Sequence, residues 1–170
     1  MKTILGINPG TRYLGFAIFH GPELRDWGVK VAKGPCTKDK MEKLKKIVLG
    51  LIEQYEPEVL AIKQLHPSRS SPNLLKLVGE LKKLSLIRKI PVHEYSIEYL
   101  EKMILSERLN KKNLVEIIFE QYPVLFSEVE KERVIFSEIE KKRSRKKIYH
   151  TRMFEAVALA HVCFNQLDNH

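Results

Sequence analysis

The stretch that most limits the possible folds is Lys2–Phe19, KTILGINPGTRYLGFAIF. Ile4, Leu5 and Ile7 form a short apolar run, Pro9-Gly10 interrupts it, and Leu14, Phe16, Ile18 and Phe19 resume it. Apolar runs of this length around strong turn chemistry predict two strands joined by a tight turn. Gly10 supplies the backbone freedom for a sharp reversal. A hairpin alone is marginal, so further strands or a packed helix must follow it.

The rest of the pattern supplies them. Leu24–Ala32 alternates enough for a third strand, joined through His20-Gly21-Pro22, and Pro35 closes it. From about Thr37 to Tyr55, Met41, Leu44, Val48, Leu51, Ile52 and Tyr55 recur at helical spacing, with Thr37 or Asp39 able to cap the start. Glu56-Pro57 ends that helix, and Val59–Ile62 follows as a short strand of the kind buried on both faces. Lys63–Ser71 is polar and reads as a loop. A helix from about Asn73 to Arg88 carries Leu74, Leu77, Val78, Leu81 and Leu84, with Gly79 read as a point of close approach. Pro91–Tyr95 is a fifth strand, Ser96–Ile104 a short helix capped by Ser96, and Asn110–Tyr122 another helix. Thr151–Leu167 carries Phe154, Val157, Ala158, His161 and Phe164 at helical spacing, and Ala156, Ala158 and Ala160 suit tight packing on a sheet. Three antiparallel-looking strands followed by alternating strands and helices make an α/β arrangement.

At 170 residues the chain suits one domain spanning 1–170. Its 44% hydrophobic and 30% charged residues fit a soluble globular protein, expected in the cytoplasm, without a membrane span or a leader. Cys36 and Cys163 lack metal-ligand spacing and read as free thiols. The net charge of +9, from 30 Lys+Arg against 21 Asp+Glu, favours an anionic partner such as nucleic acid. A Lys- and Glu-rich composition also arises by thermal adaptation. The one composition shift is a charged insertion at about 125–148, which ends in KKRSRKK, Lys141–Lys147.

The opening ILGINPGTRYLGF resembles that of the RuvC-type Holliday junction resolvases, I-L-G-I-D-P-G-[ST]-R-x-x-G-[FYW], within the ribonuclease H-like superfamily. VLAI resembles the strand leading to that family's second acid, PVHEYS its fifth strand, LNKKNLVEIIFEQYP the helix that follows, and FEAVALAHVCF its final D-A-[LV]-A-[LI]-A signature. The resemblance covers nearly the whole chain. It implies a mixed five-stranded sheet flanked by helices, a two-fold homodimer, and branched DNA as partner. It also implies two-metal hydrolysis by carboxylates at the ends of the first and fourth strands and in the first turn of the last helix.

Those family positions fall here on Asn8, Lys63, Arg152 and Glu155, and only Glu155 is acidic. An isosteric exchange explains Asn8 but not Lys63, which adds bulk and opposite charge. The economical reading is a DNA-binding relative that has lost metal-dependent cleavage and needs no cofactor. Lys63 is then expected to pair with Glu155 and stand in for part of the missing metal charge. A rival reading keeps a Mg2+- or Mn2+-dependent junction endodeoxyribonuclease with rearranged ligands, drawing on Asp26 or Glu94. Glu58 lies at the wrong end of its strand. A second rival is a protein-interaction module without nucleic acid.

For DNA contact the candidates are Arg12 after the turn, His66 and Arg69 after the fourth strand, and the arm Lys141, Lys142, Arg143, Arg145, Lys146 and Lys147. Trp27 reads as core or interface, and His161 as a hydrogen-bonded packing histidine.

Overall fold

In the computed structural model, residues 1–105, 114–125 and 143–169 are described, the side chains of 143–149 excepted. Five strands form one sheet: β1 (Thr3–Asn8), β2 (Tyr13–His20), β3 (Glu23–Val31), β4 (Val59–Lys63) and β5 (Val92–Tyr95). Their order is β3-β2-β1-β4-β5. β2 is antiparallel to β1 and β3, whereas β4 is parallel to β1 and β5. This is the mixed sheet that the resemblance implies.

The described helices are α1 (Lys38–Tyr55), α2 (Pro72–Ile87), α3 (Ile97–Leu105), α4 (Leu114–Gln121) and α5 (Arg143–Asp168). Local chemistry sets their ends. The Thr37 hydroxyl accepts from the Lys40 amide at the start of α1, which satisfies one of the amides left without a partner there. Glu56 closes that helix in the left-handed region at φ 47°. Ser71 and Ser96 cap α2 and α3 in the same manner as Thr37.

Alternation along the strands divides the core in two. Leu5, Ile7, Leu14, Phe16, Ile18, Leu60 and Ile62 pack under α1 and α2. Ile4, Ala17, Phe19, Val59 and Ala61 face the other way, under α3, α4 and α5. On that second face the sheet is shaved for close approach. A Cβ at Gly6 would strike the Ala156 carbonyl and come within 3.0 Å of the Ala160 Cβ. One at Gly15 would strike the carbonyl of Arg152. An isolated glycine inside a strand often marks such an approach.

Three details differ from the sequence reading. α5 begins at Arg143, eight residues before the predicted start at Thr151. Apolar periodicity in a sequence registers only residues that repeat as an apolar face, whereas Arg and Lys are good helix formers that leave no such mark. Arg143 onward is helical backbone, and Arg152 and Glu155 lie in the third and fourth turns, not the first. Gly79 is exposed on α2, and a Cβ added there would have no atom within 4 Å, so it serves no close approach. Lys63 belongs to β4 and a short 3-10 turn spans Pro67–Arg69, so the loop read over Lys63–Ser71 is shorter. Of the charged insertion, 126–142 lies outside the described residues, as does 110–113 of the helix read from Asn110. Among the described residues no helix is long and apolar enough to cross a membrane.

Candidate functional site

Strand parity and register assemble a polar cluster at one end of the sheet. Counting alternately from Ile4, the residues facing α5 on β1 are Ile4, Gly6 and Asn8; on β4 they are Val59, Ala61 and Lys63. Ile7 pairs with Ile62 across the parallel ladder, which brings Asn8 and Lys63 side by side at the strand ends. α5 crosses this face with its Arg152 end at Asn8 and its Phe164–Leu167 end by Met1 and Ile4. Arg152 and Glu155, three residues apart on one helix face, therefore meet Asn8 and Lys63.

Within the cluster, Lys63 Nζ lies 3.1 Å from Glu155 Oε2, the pair anticipated from sequence. Their side chains are 21% and 13% exposed, so water screens the pair only partly. Asn8 is fully buried. Its Nδ2 donates to Glu155 Oε2 and, at 3.4 Å, to the Arg152 carbonyl. Its Oδ1 accepts from Arg152 Nη1 at 3.2 Å, and the same Nη1 donates to the Pro9 carbonyl at 2.9 Å. Desolvation lowers the Arg152 pKa, and the Glu155 carboxylate opposes that shift.

The amide at position 8 is complementary to these neighbours. An amide offers a donor and an acceptor, while a carboxylate only accepts. Asn8 can therefore meet a carboxylate on one side and a guanidinium on the other. An ionised aspartate there would turn an acceptor toward Glu155. The arrangement gives one carboxylate between two cations, with every carboxylate contact above made by a nitrogen of this chain.

The remaining candidates are not part of this cluster. Arg12 is exposed, and its guanidinium carbon stands 5.6 Å from the Tyr13 ring centroid. His66 and Arg69 are exposed at the turn after β4, on the same end of the sheet, with His66 Nδ1 2.7 Å from Ser68 Oγ. Arg143, Arg145, Lys146 and Lys147 occupy the first turns of α5. At 1.5 Å per residue the nine residues before Arg152 extend the helix about 13 Å beyond it, past the strand ends. Lys141 and Lys142 lie outside the described residues.

The alternative acids are engaged elsewhere. Asp26 accepts from the Tyr55 hydroxyl and from the Trp27 amide, and Glu94 pairs with Lys82 at 2.6 Å. Glu58 is exposed beside Thr3, at the opposite end of the sheet. Trp27 packs partly buried against the α5-side core. His161 lies 2.6 Å from the Tyr122 hydroxyl through Nδ1. Two contributors escaped the sequence reading, the Pro9 carbonyl and Gly15. The glycine in a strand was a usable signal for the second. A backbone carbonyl leaves no trace in residue identity.

Residues 4–131 match the model of the family described as crossover junction endodeoxyribonuclease RuvC. The chain is 29% identical over 125 residues to the RuvC of Vibrio atlanticus, covering 68% of this chain and 71% of that protein. It is 31% identical over 112 residues to the RuvC of Citrifermentans bemidjiense, covering 61% and 68%. In structure it is similar to T. thermophilus RuvC solved in complex with a Holliday junction substrate, at a TM-score of 0.63 and 19% identity, covering 96% and 94%. It is also similar to the Fowlpox virus resolvase solved with Holliday junction DNA, at a TM-score of 0.52 and 14% identity, covering 97% and 98%. The family model spans well over half of the sequence, and the two structures share its fold: the chain belongs to the RuvC crossover junction endodeoxyribonuclease family.

Proposed function

We propose that this protein binds branched DNA of the Holliday junction type as a single-domain homodimer in the cytoplasm, without cutting it by the two-metal route. The observation that carries the second half is the Lys63–Glu155 pair with Asn8 and Arg152 around it. Mg2+ takes near-octahedral oxygen ligands, and metal-dependent nucleases gather carboxylates to neutralise it. Here the one carboxylate already accepts from Nζ and Nδ2, and the Asn8 oxygen accepts from Arg152. Two unit charges 4 Å apart interact by about 4 kcal/mol at an effective dielectric of 20, so two cations beside a divalent ion weigh heavily against it. The residues present do not fit the metal.

Family membership supports the first half, together with the net charge of +9. Arg12, His66, Arg69 and the basic first turns of α5 lie toward the end of the sheet that carries the cluster, where a DNA backbone would cross.

The test is direct competition between a four-way junction and linear duplex of equal length, followed by incubation of the bound junction with Mg2+ and Mn2+. Preference for the junction with intact strands is the expected result. Equal affinities would remove the branched-DNA reading. Paired nicks that require the metal would establish the endonuclease, and sedimentation equilibrium checks the dimer.

A further inference from the structure

We propose that Lys63 and Arg152 form a metal-independent binding site for a phosphate oxyanion at the ends of β1 and β4. The inference rests on the junction-binding function above, and it names what the altered site does there.

The donors are present, held in place and open. An ammonium carries three N–H groups and a guanidinium five. One group on Lys63 goes to Glu155, and Nη1 of Arg152 serves Asn8 and Pro9. Among the described residues no buried side-chain nitrogen lacks a partner. The Lys63 side chain keeps 21% of its surface exposed, and Nε and Nη2 of Arg152, which have no described partner, are by the same account not sealed from solvent.

Both side chains are already ordered by their contacts, so little rotamer freedom remains to be lost when an anion arrives. The planar guanidinium fork matches two oxygens of a phosphate. The charge is complementary as well: two cations against one carboxylate leave an excess positive charge that a phosphodiester neutralises.

In this arrangement Glu155 is not a metal ligand. It holds the Lys63 ammonium at the strand end, and its own charge opposes the incoming anion. That fixes an unusual sign. Glu155→Gln keeps an oxygen for Lys63, removes the negative charge, and should tighten anion binding, whereas loss of a metal ligand would weaken a metal-dependent site.

The experiment uses the full chain in EDTA with two probes. Inorganic phosphate is titrated while the Arg152 Nε–H and Gly10 amide resonances are followed. The four-way junction is titrated across a range of salt. Wild type should give saturable phosphate shifts, and Lys63→Gln should weaken phosphate binding about tenfold, the size of one charge-assisted hydrogen bond. On the junction, Lys63→Gln should lower the slope of log K against log salt by about 0.9. Lys63→Arg should retain both properties and serves as the check that the strand end is intact. No saturable phosphate shift, with wild-type junction affinity and slope in Lys63→Gln and Glu155→Gln, would overturn the site and leave junction binding standing. Saturable phosphate shifts in a protein that binds no junction would uphold the site for a small phosphorylated ligand and remove the DNA reading.

Discussion

Gly15 lies flat against the backbone of Arg152, so close that a Cβ there would overlap that residue's carbonyl group. Asn8 pairs with Gly15 across the β1–β2 ladder. The same absence of a side chain therefore seats α5 on the sheet and brings the Arg152 guanidinium within reach of the Asn8 amide. A small residue in β2 sets the geometry of the polar cluster without contributing a polar atom to it.

Gly15→Ala should destabilise the fold by about 3 kcal/mol, the upper part of the usual overpacking range, because the obstacle is helix backbone and cannot swing aside. Gly79→Ala should do the reverse. Position 79 is in the exposed interior of α2 with nothing within 4 Å, and Ala is favoured over Gly in a helix by about 1 kcal/mol. Urea unfolding of the two variants checks both signs. Equal effects would mean that α5 does not sit as closely as described.

Replacing Lys141, Lys142, Arg143, Arg145, Lys146 and Lys147 with neutral residues should flatten the salt dependence of junction binding. Each side chain that meets a phosphate accounts for about 0.9 of the slope of log K against log salt. Binding isotherms at several salt concentrations give that slope directly. An unchanged slope would assign the run to solvent.

Asn8→Asp combined with Lys63→Glu and Arg152→Asp should rebuild an oxygen cluster around Glu155 and gain affinity for Mg2+, with at least weak junction cleavage. Calorimetry with Mg2+ measures the gain. A folded triple variant that takes up no metal would mean that these strand ends are not the family's metal position.

Tyr122 makes stability sensitive to alkaline pH. Its ring stands edge-on to Phe19 at 5.5 Å between centroids, and burial pushes its pKa up to about 12. An unfolded tyrosine titrates near 10. Between those values the unfolded chain binds fewer protons than the folded one, so stability falls as pH rises. The contribution is fully present below pH ~10 and is lost as pH rises through 12. Tyr122→Phe should lower stability at pH 8, and its deficit against wild type should shrink from pH 10 upward. Urea midpoints measured in parallel at each pH read the difference. A constant deficit would remove the titration from the account.

The legible part of the fold was the part written as local periodicity. The two runs around Pro9-Gly10, the alternation in Leu24–Ala32 and the 3.6-residue spacing from Met41 to Ile52 each mark one element, because burial of one face imposes its period on the chain. The same logic explains the miss at α5. Arg143–Lys147 is basic and polar, so it carries no apolar period even though its backbone is helical. Gly79 misled in the opposite sense, since a glycine in a helix signals close packing only where something packs on it.

By itself the sequence determined the element types, the family, and the replacement of all but one acid at Asn8, Lys63, Arg152 and Glu155. These follow from residue identity and short-range order. Only the tertiary structure decided what the replacements do together. Lys63 and Glu155 are 92 residues apart in the chain and Asn8 and Arg152 are 144 apart, and no local pattern relates them. Their meeting depends on the register that sets Ile7 against Ile62 and on two glycines, Gly6 and Gly15, that let α5 approach. It also depends on an amide that can donate to Glu155 while it accepts from Arg152. The direction of each hydrogen bond, and the N–H groups left open to solvent, exist only once those surfaces are in contact, because burial and distance are properties of the packed chain.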